Sequence, residues 1–271
     1  MITSLQSEDG ASVQIVHHGA QVVSWIPAGL PEQLFLSKSS PLDSGKPLRG
    51  GVPVIFPQFS DLGPLTKHGF ARNLVWHKRV SEKPGQAVFE LRDSDATRAV
   101  WPHAFLLVLT VTVSDAALEV ELAVNNTGTT TFEFTAALHT YLRVDHIDDV
   151  RVHGLRDTHY RDSVSGAADC VEAEDSIAIR QQVDRVYMNA PPLMKLLQPT
   201  QQTDICSTGF ADAVLWNPWH ALSDAMADME PGGFQRMVCL ESAVIAQPVR
   251  LGPAECWRGS QRLHARQTSD Q

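Results

Sequence analysis

Residues 105–142 read FLLVLTVTVSDAALEVELAVNNTGTTTFEFTAALHTYL, and this stretch decides the fold class. It holds three runs, Phe105–Val113, Leu118–Asn125 and Phe132–Leu142, that are rich in β-branched and aromatic residues and lack helical periodicity. Asn125-Asn126-Thr127-Gly128 separates the second run from the third. Asn and Gly tolerate positive φ, so the spacing predicts a hairpin there. Further strands are predicted at Ser12–Val16, Gln21–Ile26, Val75–Val80, Ala87–Leu91, Ala213–Trp216 and Met237–Ser242. Helix is expected only as a turn at Ala96–Val100 ahead of Pro102 and a short piece near Ala221–Met229. No composition shift, linker or fixed-period repeat divides the chain, so the expectation is all-β: one large antiparallel β-sandwich domain over residues 1–271 with minor short helices.

Composition narrows the function classes. The chain has 271 residues, 43% hydrophobic and 20% charged, which supplies a large core and argues against disorder. A net charge of −9 and a pI near 5.6 oppose attraction to nucleic acid or anionic membranes. Any phosphate-bearing ligand must therefore be caught locally. The start MITSLQSEDG has no basic segment followed by an apolar one, and no apolar run approaches about 20 residues, so a soluble cytoplasmic protein is expected. Cys170, Cys206, Cys239 and Cys256 are dispersed without a CxxC pair and read as thiols in a reducing compartment, with no metal site expected.

Three segments hold residues that a sandwich core does not call for. Arg49-Gly50-Gly51-Val52-Pro53 through Phe59, followed by Lys67-His68-Gly69-Phe70-Ala71-Arg72, is Gly- and Pro-dense and reads as a structured loop. Ala136–Val144 places His139 among aliphatic and aromatic neighbours, and Met237–Ser242 does the same with Glu241. Each has a plain structural alternative. His139 could be a core histidine satisfied by backbone or by the Thr140 and Tyr141 hydroxyls. Glu241 could form a structural ion pair with an arginine, since a buried carboxylate needs a partner. Arg49, Lys67 and Arg72 could be solvated cations, and Asp184 could simply pair with Arg185. Trp216 and Trp219 read as packing and stay outside the expected site.

Together with Trp101-Pro102-His103, Asp184–Tyr187, Val214–Trp219, Met226-Ala227-Asp228 and Trp257, these segments resemble the glucose-6-phosphate 1-epimerase (hexose-6-phosphate mutarotase) group of the aldose 1-epimerase superfamily. The matching pieces run nearly end to end. The resemblance implies a galactose-mutarotase-like supersandwich and an isomerase that interconverts the α and β anomers of glucose 6-phosphate without metal or organic cofactor. It implies His139 as acid and Glu241 as base, Arg49 and Arg72 holding the phosphate, with Lys67, His68 and Asp184 also binding substrate. The partner implied is a small sugar phosphate, and a monomer is expected. The chain departs from the group at Lys67, where Gln is frequent, and after Glu241, where Ser-Ala-Val-Ile stands in place of a frequent Pro.

The chemistry suits these groups. A base takes the C1 hydroxyl proton while an acid protonates the ring oxygen, the hemiacetal opens, and rotation about C1–C2 before closure gives the other anomer. A carboxylate and an imidazole can exchange those protons near neutral pH. Three other readings remain at this stage: an aldose 1-epimerase for unphosphorylated hexoses, a carbohydrate-binding sandwich without catalysis, and a glycosidase, which would need a carboxylate pair instead of one carboxylate and one imidazole.

Overall fold

Residue alternation along extended segments produces two large antiparallel sheets and one small one in the computed structural model, which describes residues 1–42, 45–81 and 83–268. The small sheet is Ile2–Gln6, Ser12–Val16 and Gln21–Ile26. A nine-stranded sheet runs in the order Ile177–Ala178, Arg151–His153, Leu193–Leu197, Gln201–Thr208, Cys256–Gln267, Ala117–Asn126, Phe105–Ser114, Gln86–Arg92, His77–Arg79. The path of the eight-stranded sheet is Ala167–Val171, His159–Asp162, Val183–Tyr187, Asp212–Asn217, Met237–Leu251, Phe132–Leu138, Val54–Ile55, and Tyr141–Arg143 pairs with Met237–Leu251 beside it. Among the described residues helix is limited to Asp95–Val100, closed by a Ser94/Thr97 capping box, Trp219–Ala225 and three short 3₁₀ turns.

The main core lies between the two large sheets. Phe105, Leu107 and Leu109 alternate inward with period two, and across from them sit Phe134, Ala136, Leu138, Val238 and Leu240. The strand Met237–Leu251 is buried on both faces from Met237 to Ile245. Its even residues Val238, Leu240 and Val244 enter that core, whereas Met237, Cys239, Glu241 and Ala243 face the opposite side. The loop 49–72 and the segment 219–234 cover that second side. Because loops and the short helix Trp219–Ala225 cover this face, it can hold a cavity.

Several boundaries differ from the sequence reading. Asn125–Gly128 does not close a hairpin. Ala117–Asn126 pairs with Phe105–Ser114 and Cys256–Gln267, while Phe132–Leu138 belongs to the other sheet. Asn126 makes this crossover: its Oδ1 accepts from Gly128 N at 3.0 Å and its Nδ2 donates to Thr130 O and Leu251 O at 2.9 and 3.0 Å. The predicted run Phe132–Leu142 breaks at His139-Thr140, where His139 N turns away to donate to Pro53 O. Val75–Val80 shrinks to His77–Arg79, and the second helix is Trp219–Ala225. Cys256–Gln267 was missed because its polar letters hide a period-two pattern in which Gly259, Gln261, Leu263 and Ala265 point inward.

Candidate active site

The cavity on the outer face of the eight-stranded sheet has a volume of about 230 Å³. Strand register supplies its floor. Asp184 lies opposite Trp216, Trp216 opposite Cys239, and Cys239 opposite Tyr141, while one rung away Val214 pairs with Glu241. Ser242 pairs with Leu138, so the break that follows brings His139 beside Glu241, with His139 Nδ1 3.2 Å from Glu241 Oε1. Both side chains are more than nine-tenths buried, yet His139 Nδ1 makes no aligned hydrogen bond and Glu241 Oε2 has no partner. A buried group left this way is costly, about 1–3 kcal/mol or more for a charge, and so marks a place where the fold holds polar atoms ready for something else.

Aromatic rings fix the imidazole. Tyr141 stacks nearly parallel on His139 at 4.8 Å and 8°, and Trp216 stands edge-on to both rings at 6.0 Å. Trp216, excluded from the site on sequence, lines the cavity; Trp219 packs on Phe234 as a packing role requires.

The rim comes from the loop 49–72. Gly69 has φ +66°, and a Cβ there would run into the Phe56 carbonyl that receives Phe70 N and Ala71 N. Buried Gln58 braces the loop from within, accepting from Leu65 N and donating to Ser60 O and Leu65 O. His68 is itself left-handed at φ +67°, an uncommon conformation for a residue with a side chain. Its Nδ1 accepts from Ser60 N at 3.2 Å, so the ring proton resides on Nε2. Burial, then the charges of Arg72, Lys67 and Arg49, pull the His68 pKa down to about 3, and the ring is a neutral donor at physiological pH.

Arg49 is fully oriented. Its Nη1 donates to Tyr141 Oη at 3.0 Å, Nε to Asp228 Oδ1 at 3.2 Å, and Nη2 lies 3.1 Å from Asp228 Oδ2. Burial opposes its charge, but Tyr141 and Asp228 more than offset this and hold its pKa above the usual value. Asp228, which the sequence offers only within Met226-Ala227-Asp228 and without a role, orients Arg49. Arg72 donates to Lys67 O at 3.1 Å through Nη2, while its buried Nε lacks a partner. Lys67 is exposed at the mouth. All seven residues picked out from sequence, Arg49, Lys67, His68, Arg72, His139, Asp184 and Glu241, therefore line one cavity, joined by Ser60, Phe59, Leu222 and Met226. Asp184 does not simply pair with Arg185, whose partners are Glu172 and Asp162.

Burial dominates the site's proton affinities. It drives His139 well below its ordinary value, assisted by His68, Arg72 and Arg49, and drives Glu241 well above its own, assisted by Asp184 and opposed by Arg72. A carboxylate made more basic and an imidazole made more acidic, in contact, form a proton-exchanging pair. His139, Cys239 and Glu241 also offer one ligand atom each within 4.8 Å of one another.

The family model described as Aldose 1-epimerase matches residues 1–264. A protein of Cenchrus ciliaris carrying the name "Putative glucose-6-phosphate 1-epimerase" is 34% identical over 274 residues, covering 96% of this chain and 83% of its own. A protein of the same name from Salmonella typhimurium is 36% identical over 237 residues, covering 85% and 79%. The crystal structure of a protein from Salmonella typhimurium described as a "putative mutarotase" superposes with a TM-score of 0.90 at 31% identity over 98% of this chain and 90% of the other.

Proposed function

Because the chain belongs to the aldose 1-epimerase family and is an isomerase, we propose that it is a hexose-6-phosphate mutarotase interconverting the α and β anomers of glucose 6-phosphate. The observation that carries this reading is the His139–Glu241 contact at 3.2 Å on the floor of a cavity whose rim bears Arg49, Lys67 and Arg72. Glu241 takes the C1 hydroxyl proton and His139 protonates the ring oxygen; the reverse transfers close the ring on the other face. Each positioned group is worth about 10²–10⁴ in rate, and holding the sugar between them adds an orientation gain.

The phosphate does more than anchor. Arg72 and Arg49 help depress His139, so a dianion bound on them cancels part of their field and makes the imidazole easier to protonate. A free aldose gains no such help, which favours the phosphorylated substrate in turnover as well as in binding. His68 Nε2–H and Asp184 are assigned to sugar oxygens.

The proposal covers one domain over residues 1–271 acting as a monomer in the cytoplasm on a small-molecule partner, with no nucleic-acid or membrane role. The acidic balance and free thiols at Cys170, Cys206, Cys239 and Cys256 support it, and among the described residues no helix is long and apolar enough to cross a membrane. NMR exchange on α- and β-glucose 6-phosphate beside free glucose and galactose tests the reading. Exchange that is as fast with free glucose moves the protein to the free-aldose activity, and no catalysed exchange with any sugar leaves a binding role.

A further inference from the structure

We propose that His139, Cys239 and Glu241 form a binding site for a thiophilic divalent cation of the zinc type, and that the bound ion blocks the sugar site. The acid–base chemistry uses His139 and Glu241 but gives Cys239 no task. Cys239 nevertheless stands two residues before Glu241 on the same face of Met237–Leu251, fully buried beneath the cavity, and its sulfur completes a donor set within 4.8 Å.

Geometry and chemistry agree. Zinc–ligand bonds of about 2.0–2.3 Å place neighbouring ligand atoms of a tetrahedron roughly 3.3–3.7 Å apart. The His139 Nδ1 to Glu241 Oε1 separation of 3.2 Å already meets that spacing, and the bound of 4.8 Å on the whole donor set means the thiol has to move by at most about 1 Å. The two other ligand side chains are buried and incompletely satisfied: His139 Nδ1 and the second Glu241 oxygen, Oε2, lack aligned partners, so the carboxylate is free to turn toward an ion. Sulfur, nitrogen and oxygen donors together select zinc-like ions over magnesium or calcium, which want oxygen alone. As the metal–ligand bonds form, the thiol proton and any proton held by Glu241 leave to solvent; thiolate and carboxylate then balance the two charges of the ion, leaving Arg49 and Arg72 beside a neutral centre. The fourth position opens to the cavity. An ion so placed occupies the lone pair and the carboxylate that proton transfer requires, and inhibition is competitive with sugar.

Cobalt(II) titration of the intact protein, followed by thiolate-to-cobalt charge-transfer absorption, tests this alongside zinc inhibition of glucose 6-phosphate anomer exchange. The wild-type protein should give the absorption at one equivalent and lose it to zinc, while magnesium leaves rate and spectrum unchanged. Cys239→Ala should lose the absorption, keep its exchange rate and need at least about tenfold more zinc for half-inhibition. An unchanged zinc response in that variant, or absorption that persists through Cys170, Cys206 or Cys256, overturns the site. Should Cys239→Ala fail to fold, the wild-type protein decides: zinc that lowers the limiting rate without raising KM overturns the proposal, and a rise in KM alone supports it. The absorption is read without sugar, so it stands or falls separately from the mutarotase reading.

Discussion

Two buried carboxylates on adjacent strands of one sheet follow opposite rules. Asp212 is 3% exposed and fully occupied: Oδ1 accepts from Asn189 N at 3.1 Å, and Oδ2 from Ile245 N at 2.7 Å and Ala246 N at 2.8 Å. Glu241 is 1% exposed and leaves Oε2 empty against a cavity. Asp212 stitches strand ends together, whereas Glu241 stores unmet hydrogen-bonding capacity. Burial alone therefore does not mark a site; burial without satisfaction beside a cavity does.

The sharpest way to break this comparison is to neutralise Glu241. Glu241→Gln is expected to lower anomer exchange by about 10²–10⁴-fold with a melting temperature close to that of the parent, because the amide keeps the shape and removes only the proton-accepting carboxylate. Exchange by NMR and thermal unfolding read the two effects, and near-parental exchange in a folded variant would exclude Glu241 as the base.

Arg72 extends the comparison to cations, since its buried Nε is also without a partner. Arg72→Ala should cost about 2–4 kcal/mol of transition-state stabilisation with glucose 6-phosphate and little with free glucose. Steady-state kinetics on both sugars decide it; equal losses on the two would mean that Arg72 supports structure.

Asp212→Asn should show the reverse of Glu241→Gln. An amide turned toward two backbone N–H groups leaves at least one bond unmade, for about 1–3 kcal/mol of stability, while exchange per folded molecule stays unchanged. Denaturant unfolding with rate measurement on the same sample tests it, and an activity loss larger than the stability loss would move Asp212 into the site.

His68 lies between the two cases, with Nδ1 occupied by Ser60 N and Nε2–H available. Its folded pKa of about 3 lies below the unfolded value near 6.5. Between those values the unfolded chain binds the extra proton, so stability present above pH 6.5 is lost as pH falls toward 3, by at most about 1.4 kcal/mol per pH unit for this group. His68→Asn tolerates the left-handed backbone and offers an acceptor, and it should flatten the dependence of melting temperature on pH. An unaltered slope would assign the acid sensitivity to other groups.

The fold class and the seven residues that line the cavity were legible in the amino-acid sequence. Period-two burial is a local property, legible in Phe105–Val113 and Leu118–Asn125 because each side chain's face follows from its neighbours two positions away. The resemblance supplied the seven cavity residues, from Arg49 to Glu241. Tertiary structure alone decided which sheet each strand joins, since Asn125–Gly128 looks the same locally whether it closes a hairpin or crosses between sheets, and the choice rests on partners such as Leu251 far along the chain. It also decided what surrounds each functional group. Asp228 reaches Arg49 across 179 positions, and Cys239 meets His139 across 100, because register across an antiparallel sheet sets neighbours that no spacing along the chain records.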